Sequence, residues 1–335
     1  MTIKDLAAQT GYSVGTISRA LNNQPNVSEK ARSAILRAAA ECGFQLNANA
    51  KQLKQQHGNS ILVIVKGRSN ELFSSLVENI QSLISATNYP LDVDYIDEDA
   101  NEVRRAVQLC LEKKPLGVLF LGGNRENFEA DFDKIRMPCV LVTNDASGLS
   151  FPNLSSVTSD DTHAGKMAID HLVSLGHKDI VIIGGDPETS DMTAHRYAGC
   201  REAFCQHQID FDPEQNYEAI RYSFSDGYKA AQRLLEKGKH FSALFAMSDV
   251  MAIGAIRALQ DAGKRIPEDV SVLGLDGLLI GEYTIPRLST IVQSVEELAS
   301  RSIRLLLESV EGKPTVRYET VPVTLNERES AKQAN

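Results

Sequence analysis

The chain has 335 residues, of which 42% are hydrophobic, and its formal net charge at pH 7 is −9. This length accommodates two or three domains with complete cores, and the composition excludes an intrinsically disordered chain. Residues 1–58 hold seven Lys and Arg against three Asp and Glu, a net charge of +4, which leaves −13 for the remainder. A basic N-terminal part suits a polyanion such as DNA, while an acidic remainder disfavours indiscriminate adhesion to nucleic acid.

Cysteine spacing and hydropathy narrow the class of protein further. The five cysteines show no spacing typical of zinc or redox sites, so we expect free thiols. There is no H-E-x-x-H frame and no glycine-rich phosphate motif, and we therefore expect neither a metal nor a cofactor. No run approaches the roughly 20 apolar residues of a membrane span. Since an apolar signal core is also absent from the N-terminus, the sequence favours a cytoplasmic protein with no membrane partner.

The first predicted elements are two short helices joined by a tight turn. Thr2 followed by Asp5 is typical of a capping box that opens the first helix. Gly11 suits the turn, and Ser13 is placed to cap a second helix over residues 14–21. Apolar residues of the two helices can pack together while the small polar residues of the second helix lie outward. This arrangement is typical of a helix-turn-helix.

A third helix completes a predicted DNA-binding domain over residues 1–45. Ser28 is its expected cap. Its expected core positions are Ala31, Ile35, Leu36 and Ala39. The outward N-terminus of the second helix suits the major groove, where its dipole meets phosphate and short side chains reach base edges. An ordinary three-helix bundle with a solvated outer face is the alternative, which the spacing of the small and apolar residues in the first two helices disfavours.

Residues 11–15 also spell G-x-S-x-G, the pattern of a hydrolase nucleophile elbow. An elbow follows a buried strand, whereas the preceding residues KDLAAQT predict a charged helix. Ser13 is therefore interpreted as a helix cap, and the chain is not expected to be an enzyme.

Three stretches of the N-terminal part carry a family resemblance. TIKDLAAQTGYSVGTISRALN, VSEKARSAILRAAAECGF and NANAKQL together resemble the start of LacI/GalR-family bacterial transcription regulators, and the resemblance extends to about residue 325. It implies a helix-turn-helix head, a DNA-bending hinge helix and a sugar-binding-protein-like effector core. It also implies a homodimer on a pseudo-palindromic double-stranded operator. The DNA-binding residues predicted from the motif and the resemblance are Thr2, Ser13, Val14, Gly15, Thr16, Ser18, Arg19, Asn22, Asn47, Ala50 and Leu53.

Residues 46–58 form a polar linker with helix potential. The resemblance implies that this segment folds into the hinge helix on specific DNA and inserts Leu53 into the minor groove. Such a wedge unstacks a base step at a cost of a few kcal/mol, which the extra contacts of bent DNA offset. A flexible tether is the alternative, and it is the behaviour expected in the absence of DNA. The family commonly has Pro where this chain has Leu46, a departure at the entry to the hinge.

From residue 60 onward, short apolar runs alternate with amphipathic stretches, a pattern typical of βαβ units and parallel sheets. Strands are predicted at 61–65, 91–96, 117–121, 139–143, 179–184, 243–247 and 271–275. Helices are predicted near 71–87, 101–113, 162–175, 194–208, 225–237, 249–262 and 295–311.

The resulting fold class is an all-α helix-turn-helix head plus an α/β two-lobed, periplasmic-binding-protein-like core with parallel sheets. The two-lobed arrangement is implied by the resemblance. The core spans residues 59–330. Lobe 1 covers about 59–159 and 292–320, and lobe 2 about 160–291 and 321–330. A late strand near 288–292 is expected to return to the first lobe.

Polar residues follow several predicted strands, and ligands of open parallel sheets bind beyond such strand ends. Asp160 follows SSVTS, Ser248 follows ALFAM, and Asp276 follows SVLGL, while Arg196 lies at a loop–helix junction. A guanidinium with carboxylates can hold adjacent sugar hydroxyls. The resemblance implies that Arg196 and Asp276 bind the effector and that Asp160 is a third polar contact. Asp249 is interpreted as the cap of the helix over 249–262.

Four further residues complete the predicted effector site. By resemblance, Tyr222 falls where an aromatic side chain lines the pocket, and Gln293 in STIVQS is an additional candidate. In the loop KGRSNELF, Asn70 can donate to a ligand and Phe73 can form a wall. A simple helix cap is an equally good interpretation of Asn70.

The expected function is sequence-specific repression of carbohydrate-utilisation genes, released by a sugar or sugar derivative. Ser248 stands where the family often has Asn, and Gly277 where it often has Asp or Asn, so no single member's effector can be transferred. A purine or phosphorylated corepressor on the same fold remains an alternative, as does a sugar-processing enzyme with a DNA-binding head. The resemblance implies dimerisation through the core, by the helix from 71 and that near 249–262.

Overall fold

The computed structural model describes residues 3–21, 27–42, 58–67, 70–238, 240–313 and 316–334. The chain divides into two compact units, Met1–His57 and Gly58–Asn335. Several predictions lie outside the described residues. They concern the hinge segment with Leu46, and the residues Thr2, Asn22, Asn47, Ala50 and Leu53.

The N-terminal unit contains the three predicted helices. They are α1 (Ile3–Thr10), α2 (Val14–Leu21) and α3 (Glu29–Glu41). The side chains buried between them are Leu6, Ile17, Ala20, Ala31, Ile35 and Ala39. Leu36 was expected in this core but is 46% exposed, because its neighbour Ile35 occupies the inward stripe of α3 and successive helix residues point about 100° apart.

The second unit begins with a run of alternating strands and helices. In chain order these are β1 (Ile61–Lys66), α4 (Glu71–Ser85), β2 (Leu91–Ile96), α5 (Glu102–Lys113), β3 (Gly117–Leu121), α6 (Arg125–Asp131), β4 (Cys139–Val142) and β5 (Leu154–Ser159). Strands β1, β3 and β4 are almost entirely buried, as expected of parallel strands covered on both faces.

A second run of the same kind follows. It comprises α7 (Asp161–Ser174), β6 (Ile180–Gly184), α8 (Asp191–Gln206), α9 (Pro213–Asn216), β7 (Tyr217–Ala219), α10 (Phe224–Glu236), β8 (Ala243–Ala246), α11 (Asp249–Asp261), β9 (Ser271–Asp276), β10 (Ser289–Gln293), α12 (Val295–Val310), β11 (Tyr318–Val321) and β12 (Val323–Asn326). The predicted strands and helices are confirmed, with ends that shift by up to three residues.

The described strands form two six-stranded sheets. The first has the order β11-β5-β4-β3-β1-β2, and its neighbouring strands are parallel. The second has the order β12-β10-β9-β8-β6-β7 and is parallel except for β12, which is antiparallel to β10. The chain therefore crosses between the sheets after β5, after β10 and after β11.

One topological expectation is wrong. The strand near 288–292 was expected in the first lobe, but β10 pairs with β9 and β12 of the second sheet. The elements that return are α12, whose apolar side chains lie in the first sheet's core, and β11, which pairs with β5. Strand pairing is a long-range property that hydrophobic pattern alone leaves undetermined.

Two helix pairs of the second sheet approach closely through glycine. A Cβ added to Gly165 in α7 would lie 2.0 Å from the carbonyl oxygen of Arg196 in α8, and one on Gly199 would lie 1.9 Å from that of Thr162. Gly227 in α10 and Gly254 in α11 form the equivalent crossing. The close contact between α7 and α8 fixes the backbone position of Arg196.

Candidate functional site

A cavity of about 560 Å³ lies between the two sheets of the core, at the carboxyl ends of their strands. The first sheet's side supplies Lys66, Asn70, Leu72, Phe73, Asp97, Glu98, Gly122 and Thr143 to its lining. The other side supplies Met192, Arg196, Arg221, Tyr222, Ser223, Asp226 and Asp276. Five of the eight predicted effector residues therefore meet in one cavity. They are Asn70, Phe73, Arg196, Tyr222 and Asp276.

Arg196 is almost fully buried at the floor of this cavity. Its Nε donates to Asp161 Oδ1 at 2.7 Å, and its Nη1 donates to the carbonyl oxygen of Met247 at 2.8 Å. Burial by itself lowers the pKa of Arg196, but the field of Asp161, Tyr222 and Asp276 outweighs it and raises the pKa above its ordinary value. The guanidinium is thus a permanent, rigidly held charge, with Asp161 as a partner that sequence reasoning missed.

Asp276 ends β9 with its backbone at φ 128°, a region that non-glycine residues rarely adopt. Gln293 Nε2 donates to its Oδ1 at 2.7 Å. Burial raises the pKa of Asp276 to about 8, against the opposing field of Arg196, and nearby Asp249 adds to the rise. Gln293 is not among the cavity-lining residues, and its contact with Asp276 gives it an indirect place in the site.

Ser248 and Asp249 occupy places different from those predicted. Ser248 is the cap of α11, since its Oγ accepts from the backbone N–H of Met251 at 3.3 Å, and it does not line the cavity. Asp249 accepts instead from the Leu278 N–H at 2.7 Å and from the Thr290 hydroxyl at 2.6 Å. Burial raises the pKa of Asp249 to about 6, although these hydrogen bonds favour its ionised form.

The cavity walls contain the predicted aromatic residues. Phe73 lies in the first turn of α4, and Asn70 caps that helix by accepting from the Phe73 N–H at 3.1 Å. Both interpretations of Asn70 therefore apply, since it also lines the cavity. On the other side, the Tyr222 hydroxyl lies 2.9 Å from Thr193 Oγ1, and burial raises the pKa of Tyr222.

Asp160 does not line this cavity. Its Oδ1 accepts from the His163 N–H at 2.9 Å, so it caps α7. It faces a second cavity of about 570 Å³, which shares Thr143 and Met192 with the first. The carboxylate that reaches Arg196 is the next residue, Asp161.

Charged residues that the sequence did not single out also line the main cavity. Lys66 forms an ion pair with the fully buried Glu102. Arg221, from the second lobe, pairs with Glu98 and Asp99 of the first at 3.1 Å each. Each of these contacts joins residues distant in sequence, which is why composition and spacing gave no indication of them.

The helix-turn-helix unit presents the predicted outward surface. Ser13 Oγ accepts from the Thr16 N–H at 3.2 Å and therefore caps α2, as expected. Val14, Gly15 and Arg19 are exposed, while Thr16 and Ser18 are partly buried. Helix α2 thus offers a small, open surface at its N-terminus and one cation, Arg19, in its last turn.

The described residues also bear on disulfides, metal sites and membrane-spanning helices. The five cysteines are free thiols. No group of three or more potential metal ligands is found within the described ranges. No helix in the described part of the chain is long and apolar enough to span a membrane.

Comparison with known proteins identifies both units. Residues 2–47 match the lacI family of bacterial regulatory proteins, and residues 169–331 match the periplasmic binding protein-like domain. The HTH-type transcriptional regulator MalR of Clostridium butyricum is 31% identical over 335 residues, covering 98% of this chain and 99% of MalR.

Solved structures agree with this assignment. A LacI family transcriptional regulator from Enterococcus faecium with bound ribose has a TM-score of 0.72 and 26% identity, covering 82% of this chain and all of that one. The lac repressor dimer bound to operator and the anti-inducer ONPF shares the fold, with a TM-score of 0.80 and 24% identity over 99% of each chain.

A helix-turn-helix unit joined to a two-sheet, periplasmic-binding-protein-like core defines a class of DNA-binding transcriptional regulators. Within that class, this chain belongs to the LacI family of bacterial regulatory proteins. It is a transcriptional regulator and not an enzyme.

Proposed function

We propose that this regulator is a repressor that an uncharged sugar releases from its operator. The observation that carries the proposal is that Arg196 and Asp276, both buried, line the same cavity between the lobes. The Arg196 guanidinium donates in a fork, and the Asp276 carboxyl accepts when ionised and both accepts and donates when protonated, which suits the vicinal hydroxyls of a sugar. The Enterococcus faecium relative solved with ribose supports a sugar as the class of ligand.

The charges of the cavity disfavour a phosphorylated effector. Among the described lining residues the cations are Lys66, Arg196 and Arg221, and each already contacts a carboxylate. The lining also holds the acidic residues Asp97, Glu98 and Asp226, besides Asp276, whose raised pKa leaves it largely uncharged at neutral pH. A phosphate brought into this cavity would meet an excess of negative charge, whereas a neutral polyol would not. The chain has no Trp, so the aromatic surfaces available to a sugar ring in this cavity are those of Phe73 and Tyr222.

For DNA binding we infer that residues 1–45 form the head, residues 46–58 the hinge and residues 59–330 the core. In the core, lobe 1 covers about 59–159 and 292–320, and lobe 2 about 160–291 and 321–330. Within the head, Arg19 is placed to read a base edge or to anchor the head on the DNA. Exposed Val14 is placed to contact thymine methyl groups. Thr2, Asn22, Asn47, Ala50 and Leu53 complete the proposed DNA contacts by family resemblance.

We propose a homodimer whose two heads bind the two half-sites of a pseudo-palindromic operator. Support comes from four large apolar side chains exposed on the segment after β9, namely Leu279, Ile280, Tyr283 and Ile285. Contiguous exposed apolar residues mark association surfaces. Helix α11, an earlier candidate for this interface, keeps most of its apolar side chains inside the core.

A thermal-shift screen against neutral sugars, sugar phosphates and nucleobases tests the effector proposal. A neutral sugar should raise the melting temperature of the wild type and fail to do so with Asp276→Asn. Asp179→Asn is the matched control, because that aspartate is exposed beside the opposite end of β6. Stabilisation by a phosphorylated compound alone, or by a sugar that ignores Asp276→Asn, would reject the proposed site.

A further inference from the structure

The first crossing between the lobes contacts Arg196 directly and is linked to Asp276 through one side chain. Ser159 is the last residue of β5 in the first sheet, and Asp161 is the first residue of α7 beneath the second. Both are buried. Asp161 accepts from the Arg196 Nε at 2.7 Å, and Ser159 reaches Asp276 through one intermediate side chain, Gln293.

The hydrogen bonds through Gln293 have a defined direction. Ser159 Oγ donates to Gln293 Oε1 at 2.7 Å, which leaves Gln293 Nε2 to donate to Asp276 Oδ1 at 2.7 Å. An amide can rotate by 180°, and the opposite orientation would place its oxygen against the carboxylate. Ionised Asp276 can only accept, so it takes the Nε2 side of the amide, and the Ser159 hydroxyl holds that orientation by donating to Oε1. Gln293 ends β10, the strand that precedes the second crossing.

Few other charged groups act on Asp276. Arg196 from α8 favours the ionised carboxylate, whereas Asp249 from α11 disfavours it. The Tyr222 ring, which lies within range of Arg196 and Asp276, is held uncharged by burial. Two uncharged donors, the Gln293 side chain and the Asp249 backbone N–H, offset the effect of burial on this carboxylate.

We propose that Ser159, Asp161 and Gln293 are positioning residues, through which the segments crossing between the lobes hold Arg196 and Asp276 in the orientation and charge state that ligand binding needs. The assignment of Arg196 and Asp276 as ligand contacts rests on the proposed function. The hydrogen-bonded positioning itself does not. A change of angle between the lobes would shift Ser159 and Asp161 and so act on both ligand contacts together.

Titration of Asp276 in the full-length protein tests this directly and needs no ligand. Aspartate labelled with carbon-13 at the side-chain carboxyl gives one NMR signal per residue, and Asp276→Asn identifies the signal that belongs to position 276. Ser159→Ala should move its midpoint upward by about half to one pH unit, the equivalent of the one neutral hydrogen bond that Ser159 makes to Gln293. Gln293→Leu should move it upward at least as far.

Ser155→Ala is the matched control, because Ser155 is also buried on β5 but accepts from the Arg317 N–H instead. Its Asp276 midpoint should equal that of the wild type. An unchanged midpoint in Ser159→Ala, or an equal shift in Ser155→Ala, would overturn the proposal. If Gln293→Leu fails to fold, Ser159→Ala decides alone. A shifted midpoint in a protein that binds no sugar would sustain the positioning and reject only the proposed function.

Discussion

Breaking the buried pair of Arg196 and Asp161 should destabilise the core strongly and in a pH-dependent manner. Their side chains are 2% and 8% exposed, and their charged atoms are 2.7 Å apart. Removing one partner of such a pair typically costs about 3–5 kcal/mol, because an uncompensated charge stays buried. We therefore expect Arg196→Met to lower the free energy of unfolding by an amount in this range at pH 8.

The loss in Arg196→Met should shrink on acidification. Burial already raises the pKa of Asp161, and loss of the guanidinium removes the charge that opposes that rise. An acid whose folded pKa lies above its unfolded value contributes stability at low pH that is lost as the pH rises through the folded pKa. Arg196→Met should consequently lie closer to the wild type at pH 5.5 than at pH 8, with unfolding in urea followed by circular dichroism.

A double-mutant cycle with Asp161→Asn isolates the interaction. The double variant removes both charges, so it should lose less than the sum of the single variants, with a coupling energy of about 0.5–3 kcal/mol. The exposed i,i+4 pair of Arg265 and Asp269 serves as the matched control, and its coupling should be much smaller. Additive losses at the buried pair, or equal losses at both pH values, would refute the reasoning.

Three other changes have definite expected outcomes. Gly165→Ala would place a methyl group 2.0 Å from the Arg196 carbonyl oxygen, so the melting temperature should fall and sugar stabilisation should be lost; a wild-type melting temperature would contradict the close crossing. Burial lowers the pKa of His177 below its ordinary 6.5, so the unfolded chain gains a proton first on acidification. Stability should therefore decline below about pH 6.5, and less steeply in His177→Gln. Arg19→Ala should weaken DNA binding in anisotropy titrations and, if Arg19 contacts a phosphate, reduce the salt slope by about 1; an unchanged affinity would exclude Arg19 from the interface.

Local patterns determined most of the secondary structure. The caps at Ser13, Ser28 and Asn70 accept the expected backbone N–H groups, because capping depends on residues only three positions apart. The apolar runs became strands for an equally local reason, since a continuous buried run suits a strand covered on both faces.

The structure departs from expectation where distant segments meet. Asp160 was predicted as an effector contact, yet Asp161 is the carboxylate that reaches Arg196, and adjacent residues of a helix start differ by about 100° in direction. Ser248 takes the capping role expected of Asp249, and Asp249 accepts instead from the Leu278 N–H.

The sequence also does not indicate which residues of the two lobes contact each other. The contact between Ser159 and Gln293 spans 134 positions, and the ion pair of Arg221 with Asp99 spans 122. Such contacts depend on the order of strands in the two sheets, which the hydrophobic pattern does not encode.

A neutral sugar in the core cavity should weaken operator binding. The most direct measurement takes a duplex enriched from random DNA by the purified full-length protein and titrates it by fluorescence anisotropy, with and without the sugar that stabilises the protein. We expect the sugar to raise the Kd for DNA at least tenfold in the wild type and to leave it unchanged in Asp276→Asn. An unchanged or lowered Kd in the wild type, at a sugar concentration that saturates the core, would contradict release by the sugar.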